Sequence, residues 1–170
     1  MRILGVDPGL RVTGYGLISS KNFPGLQPKI ELIEAGIIRT EPDSGIAARL
    51  MRVHEALDEI IDEFSPEVLV IEKLYAHYKH PATAILMGHV RGVVCLLSGS
   101  KKIPLINMAS THVKKAVTGS GHAGKEQMSR MVQHYLGVKN ISAPADATDA
   151  MAIAMAYAFN IGKKAVREHD

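Results

Sequence analysis

Arg2-Ile-Leu-Gly-Val-Asp7-Pro-Gly-Leu-Arg-Val-Thr-Gly-Tyr-Gly16 decides how the rest of the chain is read. A short apolar run, Ile3 to Val6, stops at a single acid, Asp7, and Pro8-Gly9 then turns the chain. A second strand-like run, Gly14 to Ser20, follows almost at once. Asp-Pro-Gly is favoured turn chemistry in its own right, so taken alone the stretch is a turn between two antiparallel strands. A carboxylate at the exit of a buried strand is nevertheless costly unless something cationic faces it. Whether Asp7 is more than a turn residue depends on what else the chain supplies.

Outward from that stretch, Lys21 to Pro28 contains Asn-Phe-Pro-Gly and a second proline and reads as loop, and Lys29 to Thr40 as a third strand completing a meander. Apolar Ile46, Leu50, Val53, Leu57, Ile60, Ile61 and Phe64 recur at helical spacing, and Ser65-Pro66 ends that helix. Val68-Leu69-Val70-Ile71 has the apolar continuity of a central parallel strand and again ends in an acid, Glu72. Pro81 opens a helix that runs to about Leu97 or Ser98 and is apolar nearly all round, so it needs cover on two sides: the sheet, and a second subunit. Ile103 to Asn107 is a fifth strand, Ser110 to Val117 a short helix, Gly119 to Gly124 a flexible loop, and Lys125 to Leu136 a helix. A last helix opens near Ala145 and runs to about Ile161. Three meander strands followed by alternating helix and strand predict an α/β fold: one five-stranded mixed sheet, strands 1–3 antiparallel and 4–5 parallel, flanked by helices. Residues 1–162 form one domain in this reading, and 163–170 a flexible C-terminal tail.

Composition narrows the class. With 170 residues, 46% apolar and 22% charged, the chain suits one globular domain. Its N-terminus enters a strand directly, with Asp7 where a signal peptide would need its apolar centre, and no apolar run is expected to span a membrane. The single cysteine, Cys95, allows no internal disulfide, fits a reducing, cytoplasmic compartment, and reads as a small core hydrophobe. The overall charge is only +3, but it is unevenly spread. Residues 1–72 hold 7 Lys/Arg against 12 Asp/Glu, whereas residues 73–125 hold 8 Lys/Arg, five histidines and no acid. Core helix lowers acid content for dull reasons, yet 53 residues without a carboxylate is what a polyanion-binding surface looks like.

Four acids are placed unlike the others. Asp7 and Glu72 each end an apolar strand; if those strands are neighbours, both emerge at one edge of the sheet, where α/β folds place ligands. Asp146 and Asp149, three apart at the start of the last helix, share a face. Singly, each has a plain explanation: Glu72 a strand end in water, Asp146 an N-cap, Asp149 a favourable charge at a helix N-terminus. Together in one cleft they would repel one another unless cations bind between them, and an all-oxygen set suits Mg²⁺ or Mn²⁺. Two such ions about 3.5–4 Å apart are the means by which many nucleases clamp a phosphodiester. Gly119-x-x-x-x-Gly124-Lys125 matches most of a nucleotide phosphate loop, but Glu126 replaces the Mg²⁺-binding Ser/Thr and no apolar strand precedes it. Delivering Lys125 to a phosphate is the more economical role. The loop Lys73 to His80 interleaves Tyr75 and Tyr78 with Lys79, and stacking of an unpaired base on an aromatic is worth about 1–3 kcal/mol. Lys114 and Lys115 are further candidate DNA contacts.

The Arg2–Gly16 stretch, Ile71-Glu72, Gly88-His-Val-Arg91-Gly92, Val113-Lys114, Gly119 to Lys125 and Ala145-Asp-Ala-Thr-Asp-Ala150 occur in that order. With them the chain closely resembles, over nearly its whole length, the RuvC family of bacterial Holliday-junction resolvases. The resemblance implies an RNase H-like fold and a Mg²⁺-dependent crossover junction endodeoxyribonuclease acting in recombination and repair. It implies a homodimer, formed through helix 81–98, that nicks two strands of like polarity in a four-way junction and works with the RuvA–RuvB branch-migration complex. Asp7, Glu72, Asp146 and Asp149 match the family's metal-binding catalytic acids, and Lys114 and Lys125 its basic residues near the scissile phosphate. Tyr75 stands where the family carries a stacking aromatic, here Tyr rather than Phe. On this basis Asp7 is expected to bridge two Mg²⁺ ions, with Glu72 and the Asp146/Asp149 pair completing their shells and Lys125 offsetting phosphate charge. Two rivals share the Asp-x-Gly opening. Shorter YqgF-type RNA nucleases lack the full-length match, and actin-like ATPases need two lobes that 170 residues do not hold. A catalytically dead junction-binding scaffold is a third, against which the four intact acids stand.

Overall fold

The computed structural model describes residues 1–21, 27–73, 81–138 and 143–167. Five strands form one sheet: β1 (Arg2–Asp7), β2 (Val12–Lys21), β3 (Lys29–Arg39), β4 (Val68–Glu72) and β5 (Leu105–Met108), in the order β3-β2-β1-β4-β5. The meander β1–β3 is antiparallel, while β4 and β5 run parallel to β1, so the expected mixed topology is the observed one. The turn after Asp7 is tighter than expected, because β2 takes up pairing at Val12.

Helices cover both faces. On one lie α1 (Ile46–Phe64) and α2 (Pro81–Lys101). Val53, Leu57 and Ile61 of α1 and Val90, Val94 and Leu97 of α2 share a core with Leu4, Val6, Leu69 and Ile71. Each such side chain contributes about 1.5–3 kcal/mol when fully buried. Helix α1 stops where Ser65 turns left-handed (φ 45°) and its N–H donates to the Ile61 carbonyl, directly before Pro66. On the other face lie α3 (Ser110–Thr118), α4 (Lys125–Leu136) and α5 (Ala145–Arg167), whose core includes Ile3, Val68, Val70, Val113, Val132, Met151 and Met155.

Several expectations need correction. Helix α5 continues to Arg167, past the expected end at about Ile161. Helix α2 is three residues longer than expected, and over Ala82–Lys101 it is long and apolar enough by length and composition to cross a membrane, with mean hydropathy 1.5. An amphipathic contact explains it better: one side packs against α1 and the sheet, and Arg91 lies mid-helix. The outward side carries Ile85 and Leu96, 61% and 63% exposed, and with them Cys95, which is exposed rather than in the core. Helical periodicity puts Val94 and Leu97 inward and leaves Cys95 on the outer stripe. The glycine loop 119–124 is also held: Ala123 is buried, and the Thr118 and Ser120 hydroxyls accept from the backbone N–H groups of Ser120 and His122.

Candidate active site

Strand alternation aims the first two acids. In β1, Leu4 and Val6 point into the α1/α2 core while Ile3 points toward α5, so Asp7 extends the row through Gly5 on the α5 face. In β4, Leu69 and Ile71 face α1/α2 and Val68 and Val70 face α5, so Glu72 extends that row. The two strands are parallel neighbours with Val6 opposite Ile71. Asp7 and Glu72 therefore leave adjacent strands at the same end and on the same face.

The other two acids are brought in by glycines. Helix α5 lies directly on the backbone of β1 and β2. A Cβ built on Gly5 would sit 2.9 Å from the Ala154 backbone nitrogen, and one on Gly16 2.8 Å from that of Met151. One on Gly14 would overlap the carbonyl oxygen of Asp146. Gly14 pairs with Asp7 across the β1–β2 ladder, so the start of α5 is placed over the very residue opposite Asp7. Ala147, Ala150 and Ala154, all 0% exposed, keep the helix side of this contact equally flat. Asp146 lies in the first turn of α5 and is not its cap; the Pro144 carbonyl accepts from Ala147 and Thr148 there.

A cleft of about 310 Å³ opens at this point, with Asp7, Glu72, Asp149, Lys114, Lys125 and Ser110 among its lining residues. Asp146 is not among the lining residues, yet its charge, like those of Asp149 and Glu72, raises the pKa of Asp7. Burial is the largest cause, and with the three neighbouring acids it lifts Asp7 from 3.8 to about 7, against only Lys125. Asp149 is also raised, first by burial, with Lys125 opposing from an ion pair at 3.5 Å. A half-buried carboxylate cluster with so little positive charge facing it is under-compensated, and its donors are all oxygens; it therefore fits a hard divalent cation. Among the described residues no three His, Cys, Asp or Glu side chains are already drawn together as a metal cage. Asp7, Glu72 and Asp149 line an open cleft.

The other expected site residues fall differently. Lys114, half-buried on α3, lines the cleft, and Lys125, 86% exposed at the first position of α4, stands at its rim. Lys115, next along α3, is exposed and is not a lining residue. Tyr75, Tyr78 and Lys79 lie outside the described residues. The acid-free segment is also less available to a polyanion than its charge suggests. Lys101 pairs with Asp58 and Asp62 of α1 at 2.8 and 2.6 Å, and Arg91 turns inward to hydrogen-bond the protein.

Sequence reading missed the residues that hold the Asp7 turn. Thr13 Oγ1 donates to the Gly9 carbonyl at 2.7 Å, and Thr40 Oγ1 and Arg49 Nη2 both donate to that of Leu10, Arg49 at 3.1 Å. Thr13 and Thr40 are buried, and polar side chains inside a sheet protein need such partners, but their burial is visible only in the structure. Gly5, Gly14 and Gly16 did carry a signal, because glycine inside a strand often marks close approach of another backbone.

A five-stranded mixed sheet with acids at the ends of its two central parallel strands, and two more at the start of the helix laid across them, is an RNase H-like nuclease arrangement. The family described as "Crossover junction endodeoxyribonuclease RuvC" matches residues 3–157 of the chain. A crossover junction endodeoxyribonuclease RuvC from Rhodopirellula baltica is 40% identical over 153 residues, covering 90% of this chain and 83% of that protein. The Thermus thermophilus RuvC structure superposes with a TM-score of 0.87 at 28% identity, covering 97% of this chain and 98% of the other. The same protein in complex with a Holliday junction substrate also gives 0.87 and 28%, with 97% of each chain covered. This chain belongs to the RuvC family of crossover junction endodeoxyribonucleases.

Proposed function

We propose that this protein resolves four-way DNA junctions by paired, symmetric nicks in strands of like polarity, in homologous recombination and repair. The observation that carries the reading is the convergence of Asp7, Glu72, Asp146 and Asp149 on one sheet edge with Lys114 and Lys125 beside them, in a chain of this family. Asp7, Glu72 and the Asp146/Asp149 pair would hold two Mg²⁺ ions, with Mn²⁺ able to substitute. When bound, such ions activate water and stabilise the departing 3′ oxygen. The chain's own residues do the rest. Lys125, on an exposed stem at the cleft rim, offsets charge building on the phosphate. Lys114 holds the strand against the cleft wall, and Lys115, Tyr75, Tyr78 and Lys79 are further DNA contacts.

Two nicks related by symmetry need two sites, so the working form is a homodimer. The outward side of α2, with Ile85, Leu86 and Leu96 exposed, supplies an apolar face for the second copy. Action on the cell's own DNA places the protein in the cytoplasm, with the RuvA–RuvB complex as its partner in branch migration. The test is Mg²⁺-dependent cutting of a synthetic four-way junction beside duplex DNA and an RNA hairpin. Symmetric junction nicks are expected. Preferential cutting of the hairpin would make it an RNA nuclease, and junction binding without cutting would make it a scaffold.

A further inference from the structure

Arg91 sits mid-way along α2 in a segment whose charge suggests DNA contact, but its guanidinium faces the protein. Nη1 donates to the backbone carbonyl of Glu72, and Nη2 donates to Asn107 Oδ1 at 2.6 Å. Glu72 is the last residue of β4 and lies one position past the β1–β4 ladder, which ends at the Val6–Ile71 pair. On its other side the sheet still holds it: Glu72 pairs with Met108, and the Lys73 N–H donates to the Met108 carbonyl at 2.7 Å. The strand end carrying the carboxylate is therefore laddered toward β5 only, and Arg91 gives the Glu72 carbonyl a charge-assisted donor from α2. The planar fork matches two acceptors on adjacent strands, which the single ammonium of a lysine does not.

We propose that Arg91 is a positioning residue for Glu72. By bridging the Glu72 carbonyl to Asn107 it fixes the last peptide of β4, so that the Glu72 carboxylate is held in the cleft rather than swinging with a frayed strand end. The inference rests on the reading of Glu72 as a metal-holding carboxylate. Groups that orient such ligands typically change metal affinity or activity by about 10–100-fold when removed.

The experiment uses the full-length protein as Arg91→Met, Arg91→Lys, Asn107→Ala and Glu72→Gln. Single-turnover junction cleavage is followed against Mg²⁺ concentration, junction affinity is measured without divalent metal, and Mn²⁺ binding without DNA is measured by electron paramagnetic resonance. Arg91→Met is expected to lower the cleavage rate about 10–100-fold, raise the Mg²⁺ midpoint and weaken Mn²⁺ binding, with junction affinity unchanged. Arg91→Lys keeps the fold but does not recover the rate, and Asn107→Ala gives a smaller loss in the same direction. Adding Arg91→Met to Glu72→Gln costs nothing further. A wild-type rate and Mn²⁺ affinity in Arg91→Met would overturn the proposal, as would a rate loss matched by lost junction affinity, which would make Arg91 a DNA contact. If Arg91→Met does not fold, Arg91→Lys and Asn107→Ala decide by the same readouts. Wild-type cleavage by Glu72→Gln would sink the active-site reading itself, and the positioning role with it.

Discussion

Helices α5 and α2 cover opposite faces of one sheet and meet it in opposite ways. Helix α5 rests on bare backbone, with Gly5, Gly14 and Gly16 below and Ala147, Ala150 and Ala154 above, and no room for a methyl group between them. Helix α2 stands off on large side chains, leaves Ile85 and Leu96 exposed on its outward side, and reaches the sheet end through one arginine. The acids follow the same division. Asp146 and Asp149 are registered by contact so close that the helix has nowhere else to sit, and Glu72 by a hydrogen-bonded tether. Asp7 lies where the two regimes meet: opposite Gly14 in the ladder, with its turn held by Thr13, Thr40 and Arg49. Steric registration fails abruptly when a group is added, whereas a tether fails by degrees.

The largest effect belongs to Asp7 itself. Asp7→Asn should reduce junction cleavage to background while metal-free junction binding stays largely intact; cleavage at the wild-type rate would refute the site. Next comes the close-packed face. Gly14→Ala forces a Cβ into the Asp146 carbonyl and should cost at least about 1–3 kcal/mol in urea unfolding, with loss of cleavage as α5 shifts. On the open face the same change has the opposite sign. Gly99→Ala in α2 meets nothing within 4 Å and should stabilise by up to about 1 kcal/mol, through helix propensity alone. If the two substitutions behave alike, the contrast between the faces is wrong.

A subtler effect is pH-dependent. Asp7 titrates near 7 in the folded metal-free protein against 3.8 ordinarily, so between these values the folded state binds the extra proton. Stability of the metal-free protein should therefore fall as pH rises from about 4 through 7 and stay low above it. The raised Asp149 acts in the same direction, while Lys125 opposes both. The penalty is on the order of a few kcal/mol for a group this buried. Mg²⁺ should recover it at pH 8, and Asp7→Asn should flatten the profile; thermal melts across pH, with and without Mg²⁺, measure both. The smallest effect is expected at Lys101, whose charge is engaged by Asp58 and Asp62. Lys101→Ala should leave junction affinity and cleavage unchanged, whereas Lys114→Ala or Lys125→Ala should lower cleavage.

What could be read in advance follows from how local each signal is. Asp7 and Glu72 stand out because a carboxylate ending an apolar strand breaks the pattern within a few residues, and period-two alternation then gives their common face. Asp146 and Asp149 share a helix face for a similarly local reason. Arg91 was not legible, because a cation in an acid-free stretch looks the same whether it faces a phosphate or a carbonyl 19 residues away in the chain. Cys95 misled for the reverse reason. In a helix apolar all round, periodicity does not say which stripe is covered, and α1 covers the one through Val90, Val94 and Leu97.

By itself, the sequence determined the elements and the two strand-end acids, because each depends on spacing within a single element, and the mixed topology and uneven charge, which follow from the order of elements and residues along the chain. Only the tertiary structure decided that α5 touches bare strand backbone at Gly14, that Asp146 and Asp149 thereby arrive beside Asp7, and that the Arg91 guanidinium reaches the Glu72 carbonyl. Those outcomes depend on how closely two distant backbones approach, a distance that packing alone sets.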